Sequence, residues 1–282
     1  MSTLLESLRS AEPFLAAELR PPRAELASAA GMDAWIDTYH AVRSLTLGGT
    51  FVFLTDSAVG VPEEDNLRHL TANIGEDAAR DRVVPFLTSK HPLEYCLSYA
   101  ERARQHGFES LVVLGGDKRI GVPRSVEHAW ELRQAIRASG SDLALGGWAN
   151  PYRPVERQID YLSDPRFTGE YFLTQIVSHH EVAPVARFLE RAEARGVGMP
   201  GVFGIFYYRS ANPRTLALLS DFISVPAEGL TRDFGEGARP EEVCARTLRA
   251  LRALGVRRFY ISNLPLIGTA RTLARIRDLA GI

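Results

Sequence analysis

The sequence predicts a single α/β domain closed into an eight-stranded parallel barrel of the (βα)8, or TIM, type. Three observations carry that expectation. Short apolar runs alternate with longer amphipathic ones, and eight of the short runs have the length and composition of strands. Glycines stand just past the ends of helical segments, at Gly107, Gly140, Gly196 and Gly255, and a strand follows each of them shortly. No Gly-x-Gly-x-x-Gly turn follows the first strand, while polar residues recur at the C-terminal end of almost every strand; both facts favour the barrel over a doubly wound sheet.

The first strand, 14–19, is apolar up to Glu18 and is stopped by Pro21-Pro22. The second and third are predicted over 50–54 and 83–87, and the helical segment 93–105 leads through Gly107 to a fully apolar fourth strand, 111–114. A helix over 125–139 precedes strand five at 143–146, and strand six follows at 171–174. A helix over 181–195 leads through Pro200-Gly201 into strand seven, 201–206; the helix at 240–254 leads through Gly255-Val256 into strand eight, 258–262. Parallel neighbours need crossovers of this kind, and right-handed ones close at eight. The long irregular stretch, 226–239, is too short for a domain and reads as a loop insertion or lid within one barrel spanning 1–282.

A chain of 282 residues that is 45% hydrophobic and 24% charged can bury a large core without a disulfide or metal staple. Its formal net charge of -1 supplies no basic field for nucleic acid or an anionic membrane, so the expected partner is a small molecule. Residues 2–12 are polar and charged without an apolar core segment, and no run approaches the ~18 apolar residues of a membrane span. The expectation is a cytoplasmic enzyme. Cys96 and Cys244 lie in helix-like sequence without metal or redox spacing and read as reduced packing residues.

In such a barrel the chemistry gathers in the loops after the strands. Three runs stand there: Glu18-Leu19-Arg20-Pro21-Pro22-Arg23, Leu114-Gly115-Gly116-Asp117 and Leu173-Thr174-Gln175. Glu18, walled by Phe14, Leu19 and the Pro-Pro turn, can be desolvated enough to stay protonated and act as a general acid. Arg20 and Arg23 push the other way, since a paired guanidinium would keep Glu18 ionised and structural. Asp117 can accept two parallel hydrogen bonds from the edge of a flat heterocycle, or it can cap the turn after Gly116. Gln175 can hold a heterocycle edge, or satisfy loop backbone. Thr55, Asp56, Ser57, Thr88, Ser89, Lys90, Lys118, Asn150, Tyr207, Tyr208, Ser262 and Asn263 complete the strand-end set. It contains no plausible trio of metal ligands. The adjacent His179 and His180 cannot share one face of a helix or strand and are expected to open the next helix, and His91 reads as a loop-to-helix junction. Neither a nucleophile elbow nor a Walker loop occurs.

Together the three runs resemble the methylenetetrahydrofolate reductase family, over nearly the whole chain from Phe14 to about Leu264. The resemblance implies that Glu18 helps open the imidazolidine ring of 5,10-methylenetetrahydrofolate. It implies that Asp117 lies beside the pterin and influences charge at the reacting centre, and that Gln175, Thr55 and Asn263 contact substrate. Thr88, Gly116 and Asn150 fall on the cofactor side. Flavin-binding members, however, have an Arg at the position of Gly115, a His at Phe86, a Tyr and a His at Gly146 and Asn150, and a lysine after the fifth strand with no clear equivalent near 160–164. The pattern is similar to a divergent, flavin-independent branch in which NADH or NADPH hands its hydride straight to the folate, and FAD is uncertain. Arg20 or Lys118 would then meet the folate's glutamate tail or a dinucleotide phosphate. The alternatives are a pterin-binding barrel of a methyl-transfer system, which needs no acid, and a catalytically silent folate-binding barrel.

Overall fold

A computed structural model describes residues 2–22, 28–56, 79–118 and 120–282. Arg23 and Ser57 lie outside them. Eight strands form one closed parallel barrel in chain order: β1 (Phe14–Leu19), β2 (Val52–Leu54), β3 (Val83–Thr88), β4 (Ser110–Leu114), β5 (Ala144–Ala149), β6 (Tyr171–Ile176), β7 (Gly201–Phe206) and β8 (Arg258–Ser262). Closure is made by β1 against β8, in register from Phe14 opposite Arg258 to Ala17 opposite Ile261. The described helices are α1 (Thr3–Arg9), α2 (Ser28–Leu47), α3 (Leu93–Gln105), α4 (Ala129–Ala138), α5 (Val155–Ser163), α6 (Val182–Ala194), α7 (Pro213–Ser220), α8 (Ala227–Gly235), α9 (Pro240–Ala253) and α10 (Thr269–Ala280). The expected (βα)8 barrel is thus observed. Gly107, Gly140, Gly196 and Gly255 take left-handed backbone angles of φ 80°, 83°, 66° and 87° beyond α3, α4, α6 and α9, where a β-carbon would be strained.

The strands read as nearly continuous apolar runs because both their faces are buried. Alternate residues such as Ala17, Leu19, Leu54, Leu111 and Val113 pack outward against the helices. The residues between them, including Phe14, Ala16, Phe53, Val84, Val112, Tyr171, Val202 and Tyr260, fill the lumen. Two glycines make room for the lumen tyrosines: a β-carbon on Gly146 would stand 2.5 Å from the Tyr171 ring, and one on Gly204 would stand 2.4 Å from the ring of Tyr260. Each hydroxyl reaches across to a strand carbonyl, Tyr171 to Leu111 at 3.1 Å and Tyr260 to Thr174 at 2.6 Å.

One element was not foreseen, and one expectation needs correction. The N-terminal segment, polar by composition, folds as α1 and inserts Leu4, Leu5 and Leu8 into the lumen cluster at the foot of the barrel. Ser2 caps it, and Thr3 N–H donates to Glu109 at 2.7 Å. Its three leucines, at i, i+1 and i+4, make a one-sided stripe too short for periodicity to register. The stretch 226–239 is not irregular either, since it carries α8 over most of its length. Gly229 and Gly235 hide the helix in the sequence, but Leu230 is fully buried in a satellite cluster with Tyr208, Leu216 and Val243. Both cysteines are buried; burial, with Asp56 adding to it, pushes the Cys96 thiol up to about 12. Among the described residues, no helix is long and apolar enough to cross a membrane.

Candidate functional site

Glu18 owes its position to strand alternation. Phe14 and Ala16 point into the lumen, so the next inward residue on β1 is Glu18, where the strand ends. The residue is partly buried, and its Oε1 accepts a short hydrogen bond from the Ser262 hydroxyl at the end of β8. Burial raises its carboxyl from an ordinary 4.5 to about 7, and the Ser262 bond opposes that shift more weakly. Among the described residues, neither Arg20, whose side chain is exposed, nor any other cation enters this balance. The arrangement can hold a proton donor near neutral pH.

A carboxylate just past β2 ties that strand to the end of β3. Asp56 accepts from the backbone N–H of Thr88 at 2.8 Å and from its hydroxyl at 2.9 Å, and His91 Nε2 approaches it at 2.9 Å. Thr88 is almost fully enclosed, so its hydroxyl braces this link. Thr55 is partly buried, and its N–H donates to Leu19 at 3.1 Å. Lys90, only 4% exposed, sends Nζ to the carbonyls of Ile120 at 2.8 Å and Val122 at 2.6 Å. It anchors the loop after β4, which Ser89 also bonds through the Gly115 carbonyl. Neither Asp56 with His91 nor Lys90 with its carbonyls was readable as a contact, because the partners stand about 30 residues or more apart.

Gly116 takes φ 71°, and Asp117, partly buried, accepts at Oδ1 from Ile120 N–H at 3.3 Å, which is the turn-capping geometry. Arg124 lies over this turn. Its Nη2 donates to the Gly116 carbonyl and its Nη1 to that of Glu127, and its guanidinium carbon is 2.7 Å from where a β-carbon of Gly115 would stand. Asn150 closes an Asx turn by accepting from Tyr152 N–H at 3.0 Å. Gln175 sits where the register between β6 and β7 shifts; it donates to Phe222 O at 3.3 Å and accepts from Ile176 N–H at 2.9 Å. Asn263 adopts φ 66°, which asparagine tolerates, and donates to Tyr207 O at 3.0 Å. Glu18, Thr55, Thr88, Gly116, Asp117, Asn150, Gln175 and Asn263 thus all lie at or beyond the C-terminal ends of strands. The structure pairs Glu18 with Ser262 and engages the others mainly with neighbouring backbone.

The two histidines after β6 depart from expectation. His179 and His180 open a 3-10 turn, and their rings lie side by side, 3.9 Å apart between centroids. Each Nε2 stands 3.1 Å from Asp233 Oδ2 on α8. Adjacency did not keep them apart: the turn lets two long rings converge on a group placed between them, and that group belongs to the helix hidden from sequence reading. Burial and the neighbouring His180 push the His179 pKa down, while Asp233 opposes this.

A cavity of about 430 Å³ lies at the opposite end of the barrel, lined by Phe14, Thr50, Phe51, Arg82 and Arg277 among others. It faces the strand N-termini, the end that carries stability rather than chemistry in this fold.

The chain matches no protein-family model, and no curated protein matches it in sequence. Its structure is similar to that of an uncharacterized protein from Clostridium thermocellum that binds two copies of 5-methyl-5,6,7,8-tetrahydrofolic acid: TM-score 0.70, 15% identity, covering 98% of this chain and 99% of that one. A tryptophan synthase chain from M. tuberculosis, in an open form with BRD0059 bound, matches more loosely, with a TM-score of 0.51 and 14% identity over 99% of this chain and 94% of that one. At these identities the likenesses show the barrel fold.

Proposed function

We propose that this barrel binds a reduced folate and reduces 5,10-methylenetetrahydrofolate to 5-methyltetrahydrofolate, with Glu18 as the general acid. The observation that carries the reading is a lumen-facing carboxyl at a strand end, raised to about 7 by burial. The similar barrel from Clostridium thermocellum binds 5-methyltetrahydrofolic acid, which is the product of the proposed reaction. Glu18 in its protonated form gives its proton to the leaving ring nitrogen, and Ser262 steadies the carboxylate left behind. Ring opening leaves an iminium cation at the methylene carbon. Asp117, whose Oδ1 makes a 3.3 Å turn contact with Ile120 N–H, accepts from the pterin edge and stabilises that cation. Gln175 can exchange its bond to Phe222 for one to the ligand and so orient it. A nicotinamide nucleotide supplies the hydride as co-substrate.

FAD fits this mouth poorly. Arg124 covers the space beside Gly115, and its Nη groups are bonded to backbone carbonyls; Gly146 has no room for a side chain against Tyr171. Asn150 is turned into its own loop, and Phe86 packs in the lumen cluster. No step is therefore assigned to a flavin.

The decisive experiment is Glu18→Gln, assayed anaerobically with methylenetetrahydrofolate and with NADH and NADPH as separate donors. The expected result is a fall in kcat of at least ~10² with folate binding retained, because only the proton donor is lost. Wild-type turnover in the variant would remove Glu18 from the chemistry. Folate binding by the wild type without turnover with either donor would leave a binding barrel.

A further inference from the structure

We propose that His179, His180 and Asp233 form a binding site for one divalent transition-metal ion, zinc by ligand chemistry, which ties the turn after β6 to α8. All three ligand atoms, the two Nε2 nitrogens and a carboxylate oxygen, lie within 4.8 Å of one another. Two atoms bound to one zinc at about 2.0–2.1 Å stand roughly 3.0–3.5 Å apart in a tetrahedral shell. Each imidazole nitrogen here is 3.1 Å from the same Asp233 oxygen. Two imidazoles and one carboxylate suit zinc and its first-row neighbours rather than magnesium or calcium, which take oxygen shells.

The surrounding hydrogen bonds point the same way. Thr247 Oγ1 lies 3.3 Å from Val243 O and 2.8 Å from His179 Nδ1, so its hydroxyl can give its proton to the carbonyl or to the ring. Metal binding selects the first choice, in which the oxygen accepts from His179 Nδ1–H. In that tautomer the Nε2 lone pair is left for the ion, which takes the place of the 3.1 Å hydrogen bond between Nε2 and Asp233 Oδ2. Metal-bound histidines are oriented by this kind of bond from the other ring nitrogen. His180 Nε2 is screened from water, yet it has no hydrogen-bond partner despite its closeness to Asp233. Gly229 on α8 makes this approach possible, since a β-carbon there would stand 2.4 Å from His180 Nδ1. Arg246 holds the other oxygen of Asp233 and leaves Oδ2 to the two rings. Its charge offsets part of the aspartate's, so the site depends on nitrogen ligation.

The test uses the full chain stripped with a chelator and titrated with Co²⁺, whose visible d–d bands report tetrahedral ligation, and then with Zn²⁺. One equivalent of Co²⁺ with such bands, displaced by Zn²⁺ and accompanied by a rise in Tm, is the expected result. His180→Gln removes a ligand without removing a hydrogen bond, so it should fold as the wild type does while losing the bands and at least ~100-fold in affinity. Thr247→Val keeps the buried shape, removes the orienting bond and should weaken metal binding about 10- to 100-fold. It carries the comparison alone if His180→Gln is poorly folded. The site is overturned if the stripped wild type shows neither bands nor a Tm rise, or if both variants bind Co²⁺ as tightly as the wild type; His179, His180, Asp233 and Arg246 would then be a buried ion-pair network.

Discussion

As the proposed acid, Glu18 answers to two demands that pull in opposite directions. A proton donor must be desolvated to hold its proton near neutral pH, yet a desolvated carboxyl weakens the fold once it ionises. Because its native pKa, about 7, lies above the ordinary 4.5, the stability it contributes is fully present below about 4.5 and is lost as pH rises through 7. The full shift corresponds to roughly 3 kcal/mol. Urea unfolding should therefore find Glu18→Gln more stable than wild type at pH 8, by up to about 3 kcal/mol, with the gap closing toward pH 4.5. Equal stabilities at pH 8 would mean that Glu18 is solvated. Glu18 was legible because local sequence specifies it: a strand, its alternation and the Pro-Pro stop. Its partner was not, since only barrel closure brings Ser262 on β8 beside β1. The same reason hid the pairing of Asp56 with His91 and that of both histidines with Asp233, where the contacts span 35 to 54 residues.

Among the elements, strands were easier to read than short helices. β1, β7 and β8 have the bounds that composition predicts, because a strand buried on both faces is apolar throughout and needs no periodicity to be recognised. α1 and α8 were missed because seven and nine residues hold only two turns, too few for a stripe to stand out. Yet α1 closes the foot of the barrel. Leu8 is fully buried there, and its carbonyl accepts from Arg258 at the start of β8. Leu8→Ala should cost about 2–5 kcal/mol in chemical denaturation while leaving the opposite face, and turnover, unchanged. A loss under ~1 kcal/mol would show α1 to be an ornament rather than a stopper.

For the molecule as a whole, the absence of a flavin is the sharpest expectation. Purified protein should be colourless, and turnover should not rise on adding FAD, because Arg124 covers the Gly115 position and a diphosphate would lose charge-assisted contacts worth about 1.5–3 kcal/mol each. A flavin absorbance band that survives gel filtration would overturn this. The tyrosines over Gly146 and Gly204 have a wider consequence. With Tyr171 and Tyr260 crossing the lumen and α1 beneath them, the barrel is a cup rather than a pipe. A cup has one rim, and the folate and hydride donor of the proposed reaction would both pass over it. That reaction would then run as a queue, the reactant that settles deeper arriving first and departing last.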